Sequence, residues 1–136
     1  MTDPAVAAAV IVRRGRVLLV RRRRPEGELV WQFPAEKLEP GESPVQAAIR
    51  ETLEETTLTV SELKVLGDRI HPKTGREMHY VACEAASGFA AIGDEEELAA
   101  VAWARRDELA EYVPYGFYGP VQEYLDDALA TPVAAE

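Results

Sequence analysis

The sequence predicts an α+β fold in which helices cover both faces of a mixed β-sheet. Valine- and leucine-rich runs that are typical of strands lie on both sides of one well-bounded helix, at about 43–56. A second amphipathic helix follows near the end of the chain, at about 120–130. Strands on both sides of one helix, followed by a closing helix, favour a sheet packed on both faces. Because 136 residues suffice for one core, we expect a single domain over 1–136, with a frayed tail at 131–136.

The remaining elements follow from periodicity and turn residues. Strands are expected at 5–12, 16–22, 29–33, 60–70, 78–86 and 99–104, and a further short helix at 107–112. The turns Arg13-Arg14-Gly15 and His71 to Gly75 each join two strands. Residues 23–30 and 88–97 are expected to be polar loops.

The central helix has clear boundary signals. Ser43 is a good N-cap, and Pro44 fits the first helical position, where a missing N–H is tolerated. On a helical wheel, one stripe faces the core: Val45, Ala48, Ile49, Thr52, Leu53 and Thr56. The opposite, polar side carries Arg50, Glu51, Glu54 and Glu55.

Three glutamates on one side of this helix repel one another. Glu51 and Glu55 are four residues apart, a spacing at which like charges destabilise a helix by about 0.2–0.5 kcal/mol per pair. A hard divalent cation would offset the repulsion and would use the carboxylate oxygens as ligands. Taken alone, the glutamates are better explained as a solvated face of an acidic protein, so the preceding loop decides the interpretation.

The loop and helix together resemble the Nudix box, G-x5-E-x7-R-E-U-x-E-E-x-G-U, where U is a bulky apolar residue. The positions in register are Glu42, Arg50, Glu51, Glu54, Glu55 and Leu58. The preceding Trp31-Gln-Phe-Pro-Ala also resembles the usual lead-in of the family. The sequence departs at Glu36 and Thr57, where glycines belong, and at Thr52, where an apolar residue belongs. The acidic part of the motif is complete.

The resemblance implies a Nudix-type α/β/α sandwich over nearly the whole chain and a hydrolase that depends on Mg²⁺, with Mn²⁺ as an alternative. By motif position, the metal ligands would be Glu51, Glu54 and Glu55, and the last two would also be catalytic. Mg²⁺ would lower the pKa of a bound water and neutralise the phosphates of a pyrophosphate linkage. Arg50 cannot be a base, because guanidinium stays charged, so it would orient a glutamate.

Two further positions in the chain offer acidic candidates, the loop before the last predicted strand and position 36. The loop Asp94 to Glu97 resembles the place where many relatives supply another acid, with Glu97 the best candidate for a ligand or general base and Glu96 the second. A solvated acidic loop is the alternative. Glu36 stands where a glycine carbonyl often binds the metal; it would either hinder the site or act as an extra ligand.

Candidate substrate-binding residues are basic or aromatic. The run Arg21 to Arg24 offers a phosphate-binding patch, although alternate side chains of a strand point to opposite faces. We select Arg23, with a charged strand end as the alternative. Trp31 is expected to be structural or to line a pocket. The loop before the last helix offers rings that could stack on a nucleobase, with core packing favoured for the second of them: Tyr115, Phe117 and Tyr118.

Composition limits the partners. The net charge of −9 and pI of about 4.8 argue against a nucleic-acid polymer or a membrane surface as the ligand. The N-terminal run Ala5–Val12 matches neither a signal peptide nor a membrane span. A single cysteine, Cys83, suits a reducing cytoplasm, and we expect it to be buried and unreactive. Homodimers are common among relatives, but no residue here requires one.

We therefore expect a nucleotide pyrophosphohydrolase. The preferred activity is MutT-like, releasing a nucleoside monophosphate and pyrophosphate from a nucleoside triphosphate. An ADP-ribose or nucleotide-sugar pyrophosphatase is the alternative enzyme, favoured slightly by Phe33-Pro-Ala35. A catalytically weak nucleotide-binding or regulatory module is the alternative outside catalysis, motivated by Glu36 and Thr57.

Overall fold

The computed structural model describes residues 4–26 and 29–130, so the tail expected at 131–136 lies outside the described residues. The strands within these ranges are β1 (Val6–Arg13), β2 (Arg16–Glu26), β3 (Leu29–Gln32), β4 (Ala35–Lys37), β5 (Thr59–Ile70), β6 (Glu77–Ser87) and β7 (Leu98–Ala104). The helices are α1 (Pro44–Thr56), α2 (Leu109–Tyr112), which follows a 3₁₀ turn at Arg106–Glu108, and α3 (Gly119–Ala130). None of these helices has the length and apolar character to span a membrane.

The strands form a mixed sheet with β1 at its centre. β1 runs parallel to β6 and antiparallel to β2 and β4, and β5 lies beyond β6. β2 also pairs with β3 and with β7. Alternate residues of β1 lie on opposite faces: even positions from Val6 to Val10 pack in the core cluster with α3, and odd positions from Ala7 to Ile11 in the cluster with α1. The predicted α+β class, with helices on both faces of a mixed sheet, is confirmed.

The buried face of α1 differs from the predicted one. Leu53 was expected in the core but is 51% exposed, whereas Glu51 and Glu55, expected on the polar side, are buried. The buried stripe consists of Ala47, Ala48, Glu51, Thr52, Glu55 and Thr56. It includes small residues and threonines because Thr52 and Thr56 donate their hydroxyl protons to backbone carbonyls four residues earlier. The helical wheel was right for Ala48, Thr52 and Thr56. It was wrong for Leu53 and for the two glutamates, because it sorted residues by polarity and thereby excluded the glutamates from the interior.

Strand pairing also overrides two loop predictions. β2 continues to Glu26, through residues expected to form a loop, because it pairs with β3 at Arg21↔Trp31 and again, after a shift of register, at Glu26↔Leu29. β4 was missed, since three residues are too few to show a period, and it pairs with the start of β1. Position 36 therefore lies in a strand, and its backbone does not have the positive φ that would favour glycine.

Both ends of α1 are well capped. Ser43 and Gln46 form a capping box at its start. At its end, Thr57 takes the left-handed conformation with φ of 63°. Threonine thus adopts the cap conformation that a glycine would adopt easily, and the Thr57 N–H donates to the Leu53 carbonyl at 3.0 Å and the Thr57 hydroxyl to the Phe89 carbonyl at 2.9 Å. The helix that carries the glutamates is therefore held at both ends.

Candidate active site

Two carboxylates of α1 are buried beside the sheet. Glu51 has no exposed surface and Glu55 is 3% exposed. Both carboxylate oxygens of Glu51, and Oε1 of Glu55, accept no hydrogen bond from the residues that the structure describes. A buried carboxylate without hydrogen bonds is costly, so such groups are paired, protonated or bound to a metal.

The electrostatics of this pair are unfavourable for two negative charges. Burial raises the pKa of both carboxyl groups, and repulsion from the Glu36 carboxylate raises both further. Glu55 also raises the pKa of Glu51. The Arg22 guanidinium opposes the shift and does so more effectively at Glu55, with which it forms a hydrogen bond. Ionisation of both Glu51 and Glu55 therefore requires additional positive charge near their carboxyl groups.

Arg22 connects three elements around these acids. Its Nη2 lies 3.3 Å from Oε2 of Glu55 on α1, and its Nη1 lies 3.1 Å from Oε2 of Glu97 in the loop before β7. Nη2 also donates to the carbonyl of Ala35 in β4. Arg22 is therefore the side chain that brings Glu55 and Glu97 together. We call Glu36, Glu51, Glu55, Glu97 and Arg22 the acid end.

Arg50 holds the loop before α1 against the helix. Its Nε and Nη2 donate to the two carboxylate oxygens of Glu42, at 2.7 and 2.9 Å, and its Nη1 donates to Glu54 at 2.9 Å. This contact lowers the pKa of Glu42 and raises that of Arg50. The Glu54 side chain is 58% exposed, so it differs in environment from its neighbour Glu55.

A cavity of about 440 Å³ adjoins the acid end. Of the residues selected from the sequence, it is lined by Glu36, Glu97, Trp31, Tyr115 and Tyr118, and Phe117 also reaches it. Trp31 makes an edge contact with Tyr112, with ring centroids 5.0 Å apart, and Phe117 packs on Phe33 at 5.4 Å. Phe117 therefore both lines the cavity and packs against the apolar core residue Phe33. Glu96 is exposed and is not among the lining residues.

Arg23 lies elsewhere. Its Nε donates to the Glu95 carbonyl at 2.6 Å, and the cavity is instead lined by Arg22 and Arg24. Sequence reasoning missed these two arginines, although strand alternation could have found Arg22. Leu18 packs in the core cluster that contains α1, so alternation assigns Arg22 to the same face of β2, where it contacts Glu55. The shift of register between Arg21 and Glu26 prevents the same argument for Arg24.

The acidic residues do not form a ready-made metal cage. Within 4–26 and 29–130, no group of three or more acidic, histidine or cysteine side chains is arranged to hold an ion. The donor set nevertheless fits a hard divalent cation, because unpartnered oxygens of Glu51 and Glu55 are buried near a third carboxylate, Glu36. Cys83 is not part of the site: it is fully buried, and burial raises the pKa of its thiol to about 12.

Comparison with known proteins identifies the family. A family model described as the NUDIX domain matches residues 1–123. The chain belongs to the Nudix hydrolase family. A solved NUDIX hydrolase from Nitrosomonas europaea is 27% identical to this Nudix protein, with a TM-score of 0.71 over 94% of this chain and 90% of that one. A MutT NUDIX hydrolase from Burkholderia pseudomallei, 23% identical, has the same fold, with a TM-score of 0.66 over 95% and 99% of the two chains.

A further relative has a higher sequence identity, but over only part of the chain. The RNA pyrophosphohydrolase of Proteus mirabilis is 43% identical over 63 residues, which are 46% of this chain and 34% of that protein. The match thus spans about a third of the relative's length. The family and fold implied by the Nudix box are confirmed by these comparisons.

Proposed function

We propose that this Nudix protein hydrolyses the pyrophosphate linkage of a nucleoside diphosphate derivative with the aid of Mg²⁺. The preferred substrate is a nucleoside triphosphate, which would give a nucleoside monophosphate and pyrophosphate. The observation that carries the proposal is the buried pair Glu51 and Glu55 with its unpartnered oxygens. The two glutamates do not line the cavity themselves, but Arg22, which contacts Glu55, and Glu36, which repels both, belong to its wall of cations and aromatic rings. The net charge of −9 favours a small nucleotide over a polymer as the substrate. The single cysteine favours a reducing cytoplasm as the compartment.

The acid end supplies the metal ligands in this proposal. Glu51 and Glu55 would bind the cation through their buried oxygens, with Glu54, Glu97 and Glu36 as further ligands from the same motif or its surroundings. When bound, Mg²⁺ neutralises the phosphates and makes a bound water more acidic. Mn²⁺ would serve the same donors, because it also prefers carboxylate oxygen.

The other residues of the site have roles that follow from their contacts. Glu97 is half exposed, lines the cavity and is held by Arg22, so its carboxylate is suited to accept a proton from water. Arg24 reaches the same cavity and would bind a phosphate oxygen. Arg50 keeps the loop and Glu54 in place. Tyr115, with half of its surface exposed, offers a ring face to a base.

A nucleotide sugar such as ADP-ribose is the second candidate substrate. It is favoured by the resemblance of the lead-in Phe33-Pro34-Ala35 to that of related enzymes. In the structure, Phe33 forms part of the cavity wall and the Ala35 carbonyl accepts a hydrogen bond from Arg22. A nucleotide-binding module with weak catalysis is the remaining alternative, and it is motivated by Glu36. The Thr57 departure no longer supports that alternative, since the helix cap is formed.

The test is a substrate panel with chromatographic separation of the products. It contains the nucleoside triphosphates, ADP-ribose, nucleotide sugars and a 5′-triphosphorylated oligonucleotide, each with Mg²⁺, with Mn²⁺ and with chelator. Release of pyrophosphate from a triphosphate supports the preferred substrate, and a monophosphate plus a sugar phosphate supports the second. Binding of nucleotides without turnover under any metal condition would instead establish a binding module.

A further inference from the structure

The β5–β6 hairpin contributes a second group of cations to the cavity, far along the chain from the Nudix box. Arg69 comes from the end of β5, and Lys73 and Arg76 from the turn that leads into β6. Three tyrosines line the same part of the cavity: Tyr80, Tyr115 and Tyr118. We call these six residues the hairpin end.

Arg69 is fixed by aromatic rings. Its guanidinium carbon lies 5.7 Å from the ring centroid of Tyr80 and 5.2 Å from that of Tyr118, and its Nε donates to the Tyr80 hydroxyl at 3.2 Å. In the part of the chain that the structure describes, no carboxylate lies within ion-pair distance of Arg69. Because the two rings and the Tyr80 hydroxyl fix the guanidinium, its other N–H groups have a fixed orientation. A guanidinium with a fixed orientation is suited to bind phosphate oxygens.

Lys73 repeats the pattern at the turn. Its Nζ lies 4.3 Å from the ring centroid of Tyr115, closer than in any other cation–aromatic contact within the described ranges. Cations that alternate with aromatic faces are a combination that binds a base and an adjacent phosphate together. Tyr115 is also a candidate base-binding residue, so the Lys73 ammonium lies next to the expected position of a nucleoside.

A continuous aromatic wall links the hairpin end to the region of the acid end. Phe117 packs on Phe33 at 5.4 Å, Phe33 lies 6.5 Å from Tyr80, and Tyr80 lies 5.4 Å from Tyr118. Phe33 is only three residues from Glu36, which belongs to the acid end. A nucleoside lying along this wall would have the acid end on one side and the hairpin end on the other.

The distribution of charge around the cavity supports two anion positions. The whole chain carries −9, but among the described residues that line the cavity, cations outnumber carboxylates. The lysines and arginines are Arg22, Arg24, Lys37, Arg69, Lys73 and Arg76; the described carboxylates are Glu36 and Glu97, both at the acid end. Positive charge concentrated in a concave site attracts anions. The scissile phosphates account for the cations near the acid end, whereas Arg69 lies on a different element and is held by the rings of Tyr80 and Tyr118.

We propose that the hairpin end is a second phosphate subsite. The substrate would then be a nucleotide that carries a phosphate on the ribose 2′ or 3′ oxygen, on the opposite side of the nucleoside from the pyrophosphate linkage. This inference deepens the proposed function and rests on it for the orientation of the substrate. The shared chemistry is a ribose phosphate, which occurs both in small bisphosphorylated nucleotides and at the 5′ end of an oligonucleotide.

The test measures binding without turnover. Isothermal titration at low salt, with chelator present, compares adenosine 5′-monophosphate with adenosine 2′,5′- and 3′,5′-bisphosphate and with the dinucleotide pApA. The guanosine counterparts form a second series. We expect at least one ligand with the additional phosphate to bind about tenfold more tightly than the monophosphate, since charge-assisted hydrogen bonds are the strong ones.

Matched variants locate the effect. Arg69→Met and Lys73→Met each remove one charge and keep an unbranched side chain, and each should reduce the preference for the additional phosphate to within about twofold. Lys64→Met is the control: Lys64 is also on β5, with its Nζ 5.7 Å from the Tyr124 ring, but it does not line the cavity. If Arg69→Met fails to fold, Lys73→Met at the exposed turn still provides the test.

The outcomes separate the sources and the two proposals. Tight binding of a bisphosphate alone indicates a small nucleotide, and tight binding of pApA as well indicates an oligonucleotide end. Equal affinity for mono- and bisphosphates, undetectable binding of all of them, or an equal loss in Lys64→Met would overturn the subsite. Failure of the Mg²⁺-dependent turnover assay, with the phosphate preference intact, would refute only the proposed hydrolysis.

Discussion

The acid end and the hairpin end belong to one cavity but are built in opposite ways. The acid end places Glu51 and Glu55 in the protein interior, where a carboxylate without partners is costly. The hairpin end places Lys73 and half of Tyr115 in solvent, where a charge is nearly free of such cost. The buried carboxylates without hydrogen bonds therefore lie at the end proposed for chemistry. At the other end, the exposed residues Lys73 and Tyr115 can be changed with little effect on the stability of the fold.

The same contrast occurs within one turn of α1. Glu54 is exposed and paired with Arg50, whereas Glu55 is buried and faces Arg22. The motif treats the two glutamates alike, but their surroundings differ. We therefore expect changes at the acid end to act on kcat and on metal response, and changes at the hairpin end to act on KM.

The largest expected effect is that of Glu55→Gln. The amide keeps the shape of the side chain but removes the negative charge that would bind the cation, so kcat should fall by at least about 100-fold. Steady-state kinetics with saturating Mg²⁺ measure this change, and circular dichroism checks the fold. Glu54→Gln should also lower kcat, but by less, because Glu54 is exposed.

Glu111→Gln, on the surface of α2, is the control for loss of one negative charge and should leave kcat unchanged. A Glu55→Gln enzyme with near-normal kcat would contradict the assignment of the acid end. It would also remove the functional contrast between the two ends.

The second effect concerns stability. If Glu51 and Glu55 bind a cation, Mg²⁺ at 100 times its Kd should raise the free energy of unfolding by about 2.7 kcal/mol. Glu51→Met removes a buried unpartnered carboxyl group and keeps its approximate length, so the metal-free variant should be more stable than the parent. It should also lose the response to Mg²⁺.

Urea denaturation with Mg²⁺ and with chelator measures both quantities. The hairpin variant Lys73→Met is the control and should respond to Mg²⁺ as the parent does. A parent protein whose stability does not change with millimolar Mg²⁺ would show that the acid end does not bind this cation.

The sequence was informative where local rules decide the structure. The start of α1 follows from Ser43 and Pro44, and a fixed motif placed the glutamates in register. What it did not reveal is burial: a helical wheel cannot show that Glu51 and Glu55 enter the interior, because it assumes that charge faces water. The motif thus identified the residues, whereas tertiary packing determined their environment.

Long-range pairing explains the other differences. The extension of β2 to Glu26 depends on its pairing with β3, and the role of Arg22 depends on meeting Glu55 and Glu97 from distant parts of the chain. No local pattern encodes such contacts. The cations of the hairpin end were missed for the same reason, since Arg69 and the predicted candidate Tyr118 are adjacent only in the folded protein.

The third effect tests the hairpin end in catalysis. Tyr115→Ala removes a ring that is 51% exposed, so stability should change little, but the stacking surface for a base is lost. We expect KM to rise about tenfold with kcat nearly unchanged, which corresponds to about 1.4 kcal/mol of binding. Tyr115→Phe keeps the ring and should behave as the parent. A fall in kcat with unchanged KM would contradict the division between the two ends.

The smallest effect concerns Glu36, the residue of the acid end that lies in β4 and lines the cavity. Its carboxylate raises the pKa of both Glu51 and Glu55, which shows that it repels the charges of the acid end. A negative group at this place also repels phosphate unless a cation lies between them. Glu36→Gln and Glu36→Gly should therefore raise kcat/KM, by a factor of about 10 or less.

The two variants have different structural consequences. Glutamine preserves the strand, whereas glycine in β4 adds conformational freedom that costs roughly 0.5–1 kcal/mol of stability. Activity that rises in both variants across a Mg²⁺ titration would assign Glu36 to the substrate side of the cavity, as a residue that limits turnover. Activity that falls in both at saturating Mg²⁺, in folded protein, would instead make Glu36 a ligand or base. Glu36 would then belong to the metal-binding part of the acid end, together with Glu51 and Glu55.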